Sequence, residues 1–315
     1  MNNLILDLRD NPGGLLTEAI KISNEFLPEG KMIVYTEGRT MKREEFRSDG
    51  RGTYKDMPLV VLMNENSASA SEVFSGAMQD NDRAIIVGRR SFGKGLVQKQ
   101  INFSDGSMIN LTVARYYSPS GRCIQKPYVD GNDKNYVEDI LQRYKHGEFF
   151  NQDSIKHDGK KYKTSIGRIV YGGGGITPDI FIAQDTSNVT SYYKEAAMSG
   201  LILQYTFTYT DTNRSKLKQY LNMNDLLEHI KRLGLVDKFA EYADKHGLKR
   251  RNILIRKSYN LLEQYLYSRI IYNMLNEEEW IKYLNLNDPM VAKALEVIKN
   301  KATFPVAPAA NKKTK

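Results

Sequence analysis

Three serines stand within six residues, Ser67-Ala68-Ser69-Ala70-Ser71-Glu72, between the apolar run 58–63 and a helical pattern. A serine at the tip of a strand-to-helix turn presents an exposed oxygen. The N–H of the next residue, Ala70, points into the same space, beside the positive end of the helix dipole. Such a serine is a nucleophile with a built-in oxyanion donor, provided that a base lies within reach. Histidine is the usual base, but His146 and His157 fall in a polar segment and His229 and His246 in a helical C-terminal part. A Ser-His-Asp triad is therefore not favoured. A lysine can serve if burial lowers its pKa so that the neutral amine accepts a proton. Lys94, flanked by Gly93 and Gly95 and 25 residues after Ser69, is the candidate.

Plainer readings exist for both residues. Ser69-Ala70-Ser71-Glu72 is a capping box ahead of an apolar helix, and a lysine between glycines is ordinarily an exposed turn residue. The stretch 88–95, GRRSFGKG, fits a phosphate loop except at its last position, which needs Ser or Thr. It also leads into the alternating run LVQKQINF, a strand pattern, whereas a phosphate loop opens a helix. A nucleotide site is rejected.

The elements that must position these residues alternate between strand and helix over 3–115. NLILDL, KMIVYT, PLVVLM and AIIVG read as strands, with helices over 15–26 and 71–80. Ser104-Asp105-Gly106 separates two strand runs as a hairpin turn. Alternation with buried strands argues an α/β layered core. Residues 125–165 are polar and read as a surface insertion. Beyond about 190 the pattern is helical: Asp225 opens one helix, Ile255, Leu262, Leu266 and Ile270 stripe a longer one, and Asp288-Pro289 starts a last one. At 315 residues, with 41% hydrophobic and 26% charged, the chain has the composition of a globular protein of two domains. One cysteine, Cys123, excludes an internal disulfide and fits no metal cluster. Of the net charge of +9, residues 194–315 carry +8. No stacking-aromatic motif or compact basic run accompanies that charge, so it is read as a solvated helix surface and not a nucleic-acid site.

Five stretches, 4–14 (LILDLRDNPGG), 66–72 (NSASASE), 90–98 (RSFGKGLVQ), 109–125 (INLTVARYYSPSGRCIQ) and 173–180 (GGGITPDI), stand in the order found in the carboxy-terminal processing, or tail-specific, proteases. Residues 1–185 resemble that family of Ser/Lys endopeptidases. By position, the resemblance makes Ser69 the nucleophile, Lys94 its base and Gln98 a hydrogen-bond partner of the lysine amine. Ala70 N–H and the N–H of Gly13 or Gly14 would form the oxyanion hole. Asp80, about three helical turns beyond Ser69, is read as structural and paired with Arg83, and Arg9 and Asn11 as structural residues near the site. The resemblance implies a layered core like that of crotonase-like enzymes and the Clp peptidase, followed by an all-α region. It implies a protein substrate with an unstructured C-terminus, no metal, no cofactor and a bacterial periplasmic or cell-envelope location.

The expected organisation is a catalytic core over 1–190, a helical domain over 191–304 and a disordered tail over 305–315. Family members usually carry a signal peptide and a PDZ domain; neither is expected in this sequence, and its start inside a core strand is expected to reflect N-terminal truncation. The helical region is left with three roles: covering the sheet, forming a homo-oligomer or binding a partner. Against the endopeptidase stand a non-catalytic peptide-binding or scaffold fragment, and a crotonase-like acyl-CoA enzyme, which would need no Ser/Lys pair.

Overall fold

The computed structural model describes residues 1–128, 133–157 and 160–300. The first compact unit is built on strands β1 (Leu4–Asp7), β2 (Met32–Glu37), β3 (Glu44–Arg47), β4 (Leu59–Met63), β5 (Ile85–Gly88), β6 (Leu96–Asn102), β7 (Met108–Tyr117), β8 (Lys161–Lys163), β9 (Ile169–Tyr171) and β10 (Ile180–Phe181). Its helices up to this point are α1 (Leu16–Phe26), α2 (Ala70–Asp80) and α3 (Asp133–Lys145). One sheet is parallel, in the order β1-β4-β5-β10, and a second is antiparallel, in the order β3-β2-β7-β6. The hairpin read at 104–106 forms, with Asn102 opposite Met108.

β4 shows why its run is apolar throughout. Leu59, Val61 and Met63 face a cluster holding Ala19 and Phe26 of α1 and Val73, Phe74, Ala77 and Met78 of α2. Val60 and Leu62 face the other way, onto Met290, Val291, Ala294 and Val297. Alternate residues of a strand point to opposite faces, so a strand covered on both sides is hydrophobic without interruption.

The second unit, 185–288, holds α4 (Ser191–Met198), α5 (Leu201–Leu217), α6 (Met223–Lys231), α7 (Leu235–Lys245), α8 (Asn252–Lys257), α9 (Tyr259–Met274) and α10 (Glu277–Asn285) around its own core of Phe239, Leu262, Leu266 and Ile270. The α/β core with a helical region after it is present. Its partition differs from the one read in the sequence. Helix α11 (Pro289–Lys299) belongs to the first unit, so the helical unit is 185–288 and not 191–304. The tail expected over 305–315 lies outside the described residues. Two helix starts also move. Asn222, not Asp225, caps α6 by accepting from Asp225 N, and the long striped helix is two helices meeting at Ser258.

The segment 125–165 is more than a surface insertion. Lys126, Arg143 and Glu148 within it are all buried, with Arg143 and Glu148 in an ion pair.

Candidate active site

The residues between β4 and α2 form a sharp turn, and Ser69 sits at its tip with φ 57° and ψ −117°. A β-carbon makes this left-handed region costly, about 1–3 kcal/mol, so the surroundings must hold it. They do so through the loop after β1. Ser67 Oγ donates to Leu8 O at 2.7 Å and accepts from Asn64 N. Ala68 N donates to Asn11 O at 3.0 Å, and Ser71 Oγ lies 3.1 Å from Asn11 Oδ1. Asn64 and Asn66 both donate to Asp10 Oδ1, and Asp10 N donates back to Asn64. The Asn66 hydrogen bond is the main cause that holds the Asp10 carboxyl below its usual range. Ser67 and Ser71 are therefore laces between two loops and not merely small packing residues.

Gly13 closes on this turn. It has φ 90°, and a β-carbon there would stand 2.6 Å from both Ala68 O and Ala70 N, so only glycine fits. Its N–H is already given to Asn11 Oδ1 at 2.9 Å. Gly14 N–H and Ala70 N–H have no partner among the described residues, and the space beside Gly14 is open. Arg9 turns to the Asp7 carboxylate.

Glu72, one turn into α2, is fully buried. Its Oε2 accepts from Ser69 N at 2.9 Å and from Lys94 N at 2.8 Å. Its Oε1 accepts from Gly93 N at 2.7 Å and from Ser91 Oγ. Burial pushes this carboxyl up from its ordinary value, against four donors that favour the ionised form. Phe92 N adds a bond to Ser67 O. The serine turn and the lysine turn are thus brought together through their main chains.

Their side chains are less constrained than expected. Lys94 is exposed and not buried, and Gln98 is exposed on β6, beside a break in the register with β7. Asp80 pairs not with Arg83 but with Arg122, whose Nη2 lies 2.7 Å from Oδ1; both side chains are essentially inaccessible. Ser118 Oγ and Ser120 N both donate to Asp80 Oδ2. Arg83 instead donates to the carbonyls of Phe26, Tyr54 and Met57. Asp80 therefore anchors the chain after β7 to the end of α2. Three residues that matter here went unread in the sequence: Asp10, Ser91 and Arg122. Glu72 was visible only as a helix cap, by its spacing from Ser69.

Known proteins are similar to parts of this chain. Residues 1–134 match the family described as peptidase family S41, and residues 192–276 match a family of unknown function, DUF8443. A carboxyl-terminal-processing protease of Synechocystis sp. (strain ATCC 27184 / PCC 6803 / Kazusa) is 51% identical over 122 residues, covering 39% of this chain and 28% of that protein. A CtpA-like serine protease of Staphylococcus epidermidis (strain ATCC 12228 / FDA PCI 1200) is 45% identical over 126 residues, covering 39% and 26%. The solved photosystem II D1 C-terminal processing protease overlaps 58% of this chain and 35% of its own, at 29% identity and a TM-score of 0.41. The chain spans little more than a quarter of the length of the curated relatives that it matches.

Proposed function

We propose that residues 1–134, which match peptidase family S41, carry the acyl-transfer site of a serine endopeptidase that cleaves proteins at or near their C-terminal region. The reading rests above all on Ser69, held in a strained turn at a helix start and tied through Glu72 to the turn of Lys94. Strain of this kind marks nucleophile turns.

In the proposed reaction the neutral amine of Lys94 takes the proton of Ser69 Oγ, and Oγ adds to the scissile carbonyl carbon. The resulting oxyanion accepts from Ala70 N–H and, in preference to Gly13, from Gly14 N–H, because of these three N–H groups Gly13 alone has a partner among the described residues. Collapse breaks the C–N bond, and the lysine returns the proton to the departing amine. Water, deprotonated by the same amine, then hydrolyses the ester. Gln98 is assigned to holding that amine. In the full chain, Ser69→Ala and Lys94→Ala should each abolish hydrolysis of an unstructured protein while circular dichroism stays unchanged. Wild-type rates in either variant would refute the assignment.

The exposure of Lys94 and Gln98 favours a second reading, a non-catalytic unit that binds peptide or acts as a scaffold. It predicts peptide binding without acylation of Ser69. A periplasmic or cell-envelope location is part of the proposal and rests on the family resemblance, and self-association is one of the roles open to the helical region.

A further inference from the structure

The main chain of the lysine turn is held almost entirely by groups outside it. Ser91 N donates to Ile176 O, Gly93 O accepts from Lys126 N, and Gly95 N donates to Gln125 Oε1 at 2.8 Å. The two carbonyls that open the turn are both taken by one guanidinium. Arg143 of α3 donates from Nη2 to Arg90 O at 2.6 Å and from Nη1 to Ser91 O at 2.9 Å. Its side chain is 5% exposed, and Nε donates to Glu148, which also receives Arg90. Burial pushes Glu148 up, but the hydrogen bonds and charges of Arg90 and Arg143 outweigh it and hold the carboxyl below its usual range.

The Lys94 amine, by contrast, has no hydrogen bond among the described residues. Its location is set by where the main chain leaves it. We propose that Arg143 is a positioning residue for Lys94, acting from the 125–165 segment by fixing the carbonyls of Arg90 and Ser91. The inference rests on Lys94 being the base proposed above. The planar fork of an arginine reaches two carbonyls and a carboxylate at once, and the point charge of a lysine does not.

The test uses the full chain and a serine-reactive phosphonate probe, with the acylation rate measured against probe concentration. Arg143→Lys should fold, keep the half-saturating concentration and lose roughly tenfold or more in maximal rate. Arg143→Ala should lose at least as much. If Arg143→Lys acylates within about twofold of the wild-type maximal rate, the proposal is overturned. It is also overturned if neither variant folds, because Arg143 is then a core residue and not a brace. Lys94→Ala is the control. Acylation at the wild-type rate there would sink the reading of the site itself, whereas loss there with no effect at Arg143 would sink this inference alone.

Discussion

The backbone N–H groups of Ser69 and Lys94 share one acceptor, Oε2 of Glu72. A carboxylate with no lone pair wasted on water joins two turns that are 25 residues apart in the chain. Two effects compete at Glu72: burial disfavours its charge, and four donors require it.

Glu72→Gln separates these effects. The amide removes the buried charge but offers one acceptor oxygen, and its NH2 faces backbone N–H groups. If the donors win, the variant loses about 1–3 kcal/mol and Ser69 reactivity falls with it. Chemical denaturation read beside probe labelling checks this. A gain in stability would mean that burial dominates.

Ser69 carries strain that glycine would not. Ser69→Gly should therefore be more stable than Ser69→Ala by about 1 kcal/mol, with neither variant reactive. Equal unfolding midpoints would show that the turn relaxes without cost.

Arg122 leaves Asp80 as an uncompensated buried charge when it is removed. Arg122→Leu should cost about 3–5 kcal/mol, whereas Arg83→Leu leaves Asp80 paired. A thermal melt in which Arg83→Leu leaves the Asp80 anchor broken and Arg122→Leu does not would restore the pairing expected from sequence.

Asp10 supplies a pH dependence. Its folded pKa lies below the ordinary value of 3.8, so its contribution is fully present above that value and is lost as pH falls through the folded pKa. Asp10→Asn keeps an acceptor for Asn64 and Asn66 but does not titrate. The stability difference between wild type and variant should shrink on acidification from about pH 5 to about pH 3. A constant difference would contradict the assignment.

How much of this was legible in the sequence follows from the range of each interaction. The apolar run of β4 announced a strand covered on both faces, but nothing in it says what covers each. Met290, Val291, Ala294 and Val297 make a helical stripe, and a stripe does not name the sheet face that it meets. The strand-to-helix turn of Ser69 and the glycine-flanked turn of Lys94 are readable because each is local. Asp80 was matched to the nearest arginine, three residues on, whereas its partner lies 42 residues away. Glu72 was seen as a cap because its bond to Ser69 N is local, while those to Ser91, Gly93 and Lys94 are 19 to 22 residues distant. The burial expected of Lys94 does not occur, since flanking glycines permit a close turn without specifying what covers the side chain.

The most direct test of the central claim is peptide mapping after the full chain reacts with a serine-reactive phosphonate probe. The adduct should sit on Ser69 alone within 67–71 and should disappear in Lys94→Ala. An adduct on Ser67 or Ser71, or none on a chain that still hydrolyses an unstructured protein, would contradict it.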